Sequence, residues 1–137
     1  MTEITYKFDV DGVNWAEVKA KVAEDDFDNG RTPAQLETSF RNSAVTVIAY
    51  AGDAIIGKAR ALSDGVCNAY VVDVWTYSPY RGLGIARSMM AQLLQRLPGQ
   101  HVYLFTDTAV GLYEKVGFKA QEIGMGMVVG QWLVNET

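Results

Sequence analysis

From Val72 to Arg87 the chain joins the end of an apolar strand, two closely spaced glycines and the start of an amphipathic helix, the ingredients of an anion site. The stretch reads Val72-Asp-Val-Trp-Thr-Tyr-Ser-Pro-Tyr-Arg81-Gly-Leu-Gly-Ile-Ala-Arg87. Gly82 and Gly84 admit close backbone approach and φ values that other residues avoid. The first N–H groups of the following helix have no partner within it, and the helix dipole places roughly half a positive charge there. A pyrophosphate fits such a site, and Arg81 and Arg87 add charge at the same end. A Walker A loop would end in Gly-Lys-Ser/Thr, which is absent. A dinucleotide loop would need a third glycine where Arg87 stands, after the first strand of a βαβ unit. On the loop alone, a plain strand-to-helix turn stays open. One carboxylate, Asp73, sits inside the apolar strand before the loop. Burying it is costly unless it is paired or functional. A hydrogen-bonded structural Asp, or one on a solvated sheet face, is the other reading.

The elements that must position these groups follow from periodicity. Ile4 to Val10 alternates as a strand. Asn14 caps a helix over Trp15 to about Ala23, with Trp15, Val18 and Val22 on one face. Thr32 and Pro33 suit the N-cap and first position of a second helix, whose Leu36 and Phe40 face inward. Ala44 to Tyr50, Ala54 to Leu62 and Asn68 to Tyr77 read as an antiparallel meander with turns at Ala51-Gly52-Asp53 and Ser63-Asp64-Gly65. Ile85, Ala86, Met89, Met90, Leu93, Leu94 and Leu97 form the stripe of a long helix that Pro98-Gly99 stops. Val102 to Thr106 is a strand and Thr108 to Val116 a helix capped by Asp107 and Thr108. Phe118 to about Glu122 and Met127 to Val134 read as closing strands. The order β-α-α-β-β-β-α-β-α-β-β makes an α/β mixed sheet with helices on both faces.

Arg81-Gly82-Leu83-Gly84-Ile85-Ala86 resembles the Q/R-x-x-G-x-G/A signature of the GNAT N-acetyltransferase superfamily. Tyr113-Glu114-Lys115-Val116-Gly117-Phe118 resembles its Y-x-K-x-G-F segment, with Ala109 four residues before the tyrosine. The resemblance covers residues 44 to 120 well and the first 40 by element order. It implies one acyltransferase domain over residues 1–137, with about seven strands, about four helices, and central parallel strands (Asn68–Tyr77 and Val102–Thr106) that splay apart. It implies acetyl-CoA as co-substrate. The pantetheine arm would pair with backbone at Val74, Trp75 and Thr76. Arg81, Gly82, Leu83, Gly84, Ile85, Ala86 and Arg87 would cradle the pyrophosphate. Thr106 stands where many relatives place a cofactor-contacting Asn, with shorter reach.

The implied reaction is direct attack of a primary amine on the thioester in a ternary complex, with a small-molecule acceptor favoured over a protein. An alkylamine with a pKa near 10.4 is less than ~0.1% free base at pH 7, a handicap of roughly 4.6 kcal/mol. Relatives commonly protonate the leaving thiolate with a tyrosine at the position of Tyr113, which assigns it the general acid. Several relatives carry an acid at the position of Asp73, and some of those accept polyamine-like substrates, which implies that Asp73 contacts a cationic amine or relays its proton. Many carry a catalytic Glu where this chain has Tyr70, so the implied base acts through water. Trp75 replaces a usually small residue, and either packs in the core or narrows the acyl tunnel. Trp15, Phe27, Arg31 and the loop around Gly30 would shape the acceptor side. A non-catalytic acyl-CoA-binding module on the same fold is the alternative, and family habit allows a homodimer.

Bulk properties set limits. A chain of 137 residues that is 49% hydrophobic and 20% charged can bury a core. A net charge of −4 argues against a nucleic-acid surface, which needs clustered Lys and Arg, though not against one anionic ligand. One cysteine (Cys67) and one histidine (His101) exclude an internal disulfide and the usual zinc clusters, so no metal is expected. Both read as strand residues, His101 at a strand start. No apolar run approaches the ~20 residues of a membrane span, and no signal pattern opens the chain, so the expected location is cytoplasmic.

Overall fold

The computed structural model describes residues 2–133. Alternation in Ile4–Lys7 makes β1, which pairs antiparallel with β2 (Val45–Ala51). The β2 strand pairs with β3 (Ala54–Ser63), and β3 with β4 (Asn68–Thr76), through tight turns, as the meander requires. The fifth strand, β5 (His101–Tyr103), runs parallel to β4, giving the order β1-β2-β3-β4-β5.

Helices cover both faces. The first, α1 (Trp15–Glu24), starts where the Asn14 side chain accepts from the Glu17 N–H at 3.1 Å. The second, α2 (Pro33–Arg41), carries a full capping box. Thr32 Oγ1 accepts from the Gln35 N–H at 3.1 Å, and Gln35 Oε1 accepts from the Thr32 N–H at 2.9 Å. These helices bury Trp15, Val18, Val22, Leu36 and Phe40 against Ile48, Ile55 and Trp75. On the other face, α3 (Ile85–Leu94) and α4 (Val110–Lys115) bury Ile85, Met89, Met90, Leu93 and Tyr113 against Val47, Ala59, Ala61 and Val71. Each large apolar side chain so buried contributes about 1.5–3 kcal/mol.

The register of β3 and β4 slips once. Arg60 faces Val72 and Lys58 faces Trp75, so Asp73 and Val74 together oppose Ala59. This is a β-bulge, and Asp73 takes a left-handed φ of 62°, which Asp tolerates better than most side chains. A bulge bends the strand that carries it. The pairing of β4 with β5 stops at Tyr70 and Tyr103, and the strands diverge beyond.

Five strands stand among the described residues, not seven. Phe118 to Glu122 and residues 127–133 form neither strand nor helix; Val134 lies outside the described residues. A strand exists only with a partner for its backbone, and Gly124, Gly126 and Gly130 weaken this stretch further. The expected Val102–Thr106 strand shrinks to His101–Tyr103 because β4 turns away from it. The start of α4 is held by Thr106, whose Oγ1 accepts from the Ala109 N–H at 3.0 Å, rather than by Asp107 or Thr108. Cys67 is exposed in the turn before β4, where Asp64 Oδ1 accepts from the N–H groups of Val66, Cys67 and Asn68. His101 does open β5.

Candidate active site

Where β4 and β5 part, a cleft of about 550 Å³ opens. One wall is the end of β4: Val74, Trp75 and Thr76. Beyond Tyr70 no described residue of β5 pairs with β4, so this edge keeps unpaired backbone groups. The floor is the loop before α3, with Arg81, Gly82, Gly84, Ile85, Ala86 and Arg87. The far wall is Thr108, Ala109, Leu112 and Tyr113 of the α4 turn.

The α3 terminus is built for an anion. Gly82 and Gly84 hold φ values of 80° and 79°, and space is open where a Cβ would stand. Gly84 is the N-cap and supplies no side chain to the first N–H groups of α3, which stay available. Arg81 closes the loop. Its Nε donates to the Thr76 carbonyl at 3.0 Å, and its Nη2 lies 3.3 Å from Asp25 Oδ2. One polar atom in the cleft wall is buried with no hydrogen-bond partner among the described residues, Thr76 Oγ1. A buried hydroxyl without a partner costs on the order of 1–3 kcal/mol, so it calls for a ligand group. A ligand with a polar arm and an anionic end fits both features.

The cleft collects most of the residues that the sequence reading placed at the cofactor. Two fall outside it. Leu83 points to solvent at 68% exposure, and Thr106 is spent on the α4 cap. Trp75 offers the cleft little beyond backbone, because its ring is in the core and its Nε1 donates to Asp25 Oδ2 at 2.9 Å. Asp25 also accepts from the Ser78 N–H at 3.0 Å, tying α1 to the loop.

Tyr113 is buried, and its ring meets Phe118 edge-on with centroids 5.9 Å apart. Burial pushes its hydroxyl above the ordinary phenol value of about 10, so it keeps its proton at neutral pH. The hydroxyl makes no hydrogen bond among the described residues.

Asp73 lies in a buried ion cluster. Its carboxylate accepts from Arg31 Nη1 at 3.0 Å and Nη2 at 2.5 Å, from Lys58 Nζ at 3.2 Å and from Arg60 Nε at 2.5 Å. Burial opposes its ionisation, but the Arg31 hydrogen bonds and the charges of Lys58 and Arg31 outweigh burial and hold its carboxyl well below the usual carboxylate range. Four donors from three cations leave little of the carboxylate for an incoming amine. Lys58 is fully buried over the rings of Phe27 and Phe40, 5.3 and 5.4 Å from their centroids. Burial pushes its ammonium down to about 8 despite Asp73. Tyr70 packs edge-on against Phe105 at 6.0 Å.

Sequence reasoning did not assemble this cluster, although Lys58 and Arg60 are two cations on one face of an apolar strand, which is a signal of buried pairing. It also missed Tyr80, Thr108 and Leu112 as cleft residues. Phe27, expected on the acceptor side, lines the cleft.

A model of the acetyltransferase (GNAT) family matches residues 13–118. The chain belongs to the GNAT acetyltransferase family. Serotonin N-acetyltransferase 2, chloroplastic, of Oryza sativa subsp. japonica is 36% identical over 87 residues, 61% of this chain and 40% of that protein. The N-acetyltransferase ycf52 of Pyropia yezoensis is 29% identical over 92 residues, 61% of this chain and 53% of that one. The chain spans about half or less of the length of these curated relatives. Solved structures follow it further. Protein SA2161 of meticillin-resistant Staphylococcus aureus superposes with a TM-score of 0.80 at 23% identity, over 94% of this chain and 100% of that one. The GNAT family protein SP0256 of Streptococcus pneumoniae TIGR4 gives 0.78 at 27% identity, over 94% and 100%. No described helix is long and apolar enough to cross a membrane.

Proposed function

We propose that this GNAT protein moves an acetyl group from acetyl-CoA to the primary amine of a small molecule, in one ternary complex in the cytoplasm. The observation that carries the reading is the cleft itself: an uncapped helix N-terminus at one end, an unpaired strand edge along one wall, and a protonated buried tyrosine on the other. The N–H groups of Ile85, Ala86 and Arg87, with Arg81 and Arg87, hold the pyrophosphate. The edge at Val74 to Thr76 and the Thr76 hydroxyl hold the pantetheine arm. Acetyl-CoA supplies a thioester carbonyl carbon that is open to an amine. Tyr113 keeps a proton on Oη for the sulfur that departs as the carbon–nitrogen bond forms. Asp73 acts through position. It fixes the bulge that bends β4 away from β5, and so keeps the cleft open.

The test is release of free thiol from acetyl-CoA across a panel of small amines, with the product amide identified by mass. Amine-dependent turnover supports the reading, and Tyr113→Phe should lower kcat about 100-fold or more with acetyl-CoA affinity unchanged. Thiol release that no amine stimulates, at concentrations where acetyl-CoA binds, would leave only a binding module.

A further inference from the structure

The C-terminus of α1 breaks a local rule. Glu24, Asp25 and Asp26 are three acids in succession at the negative end of the helix dipole, where cations are favoured. Glu24 and Asp26 are exposed, whereas the Asp25 side chain is only 6% exposed. A carboxylate kept there against local preference points to a task outside the helix. The helix end itself is fixed. Asp26 takes a left-handed φ of 55°, its N–H donates to the Ala23 carbonyl at 3.1 Å, and the Phe27 N–H donates to the Val22 carbonyl at 2.7 Å. These two bonds make a Schellman closure, which sets the place of Asp25.

From that place Asp25 reaches the loop between β4 and α3. Its Oδ2 gathers three donors: Trp75 Nε1 at 2.9 Å, the Ser78 N–H at 3.0 Å and Arg81 Nη2 at 3.3 Å. Trp75 belongs to the cleft wall and Arg81 to the cleft floor, while Asp25 does not line the cleft. The Arg81 side chain is 56% exposed. Its other side-chain bond among the described residues runs from Nε to the Thr76 carbonyl at 3.0 Å. With Nε and Nη2 both tied, the guanidinium plane is set, and Nη1 still offers its N–H groups. A negative charge beside an anion site would by itself weaken anion binding. The geometry gives Asp25 a use that opposes this effect, which is to hold the cation that meets the anion.

We propose that Asp25 is a positioning residue of the acyl-donor site, which clamps Arg81 in the plane from which its remaining N–H groups meet the pyrophosphate of acetyl-CoA. The inference rests on acetyl-CoA being the ligand of the cleft. Asp25 touches no cofactor atom and acts through Arg81. A long side chain that is ordered before the ligand arrives need not be ordered by binding, and affinity rises by that factor.

Charge and positioning predict opposite signs, so calorimetric titration of Asp25→Asn with acetyl-CoA separates them. Asn keeps an oxygen for Trp75 and Ser78 and loses the charge that holds Arg81. Charge alone predicts tighter binding in the variant, because one negative charge near the pyrophosphate is gone. The clamp predicts weaker binding, with Kd raised roughly 5- to 10-fold. In an Arg81→Ala background there is nothing left to clamp, so the same substitution should change Kd by less than about 2-fold. Arg81→Lys keeps the charge but cannot span both the Thr76 carbonyl and Asp25, so it should lose roughly the same 5- to 10-fold. It changes an exposed side chain, and it decides the matter if Asp25→Asn fails to fold. Equal or tighter binding in Asp25→Asn, the same loss in both backgrounds, or wild-type affinity in Arg81→Lys overturns this proposal alone. No binding of acetyl-CoA by the wild type overturns it together with the acetyl-CoA reading.

Discussion

Replacing Asp73 by Asn isolates the charge of the buried cluster from everything else at that position. Asn has nearly the shape of Asp and equally accepts the left-handed φ of 62°, so the bulge meets no new steric demand. What is lost is the single negative charge among Arg31, Lys58 and Arg60. Breaking a buried ion pair by removing one partner costs about 3–5 kcal/mol. The lower end applies here, because without Asp73 the pull that keeps Lys58 protonated is gone and its ammonium can shed the proton near neutral pH. A loss of about 3 kcal/mol lowers Tm by roughly 10 °C in a domain of this size. The pH dependence follows in sign. The folded carboxyl is depressed, so its stabilisation is complete above the unfolded value of about 3.9 and is lost as pH falls through the lower folded value. The gap between wild type and Asp73→Asn should therefore close in acid. Urea and thermal unfolding from pH 7 down to about 3 measure both effects. A variant within about 0.5 kcal/mol of wild type at pH 7 would refute the structural role of the cluster.

Lys58→Met should stabilise the protein at pH 7 by on the order of 1–3 kcal/mol, because burial drives its ammonium down to about 8. That penalty is present below pH 8 and is relieved as pH rises towards the unfolded value, so wild type should gain stability between pH 7 and 9 relative to Lys58→Met in matched urea titrations. Thr32→Ala removes half of the α2 capping box and should cost about 1 kcal/mol in the same assay, with turnover unchanged.

Much of this was legible in the residues because local chemistry decided it. Asn14, Thr32 and Pro33 mark helix starts through groups within three residues of each other, and both helices begin there. The glycine pair at 82 and 84 needs only its own backbone freedom, and both residues take left-handed φ values. The bulge at Asp73 was not legible, because it depends on register with β3 and composition says nothing of pairing. The same holds for residues 118–133. Their pattern reads as strand, but a strand exists only where its backbone pairs, and none of these residues pairs in the sheet. Asp73 was recognised as an odd carboxylate in an apolar strand. Its partners come from 42, 15 and 13 residues away, which no local pattern reveals.

The central claim is that the cleft between β4 and β5 takes acetyl-CoA with its pyrophosphate on the α3 N-terminus. Calorimetric titration of the protein with acetyl-CoA, beside Gly84→Asp, tests it most directly. The account predicts a Kd on the order of micromolar for wild type, corresponding to about −8 kcal/mol. It also predicts loss of binding when Gly84→Asp sets a carboxylate at the positive end of the helix. No heat from the wild type with acetyl-CoA or longer acyl-CoAs, or equal affinity in the variant, would contradict it.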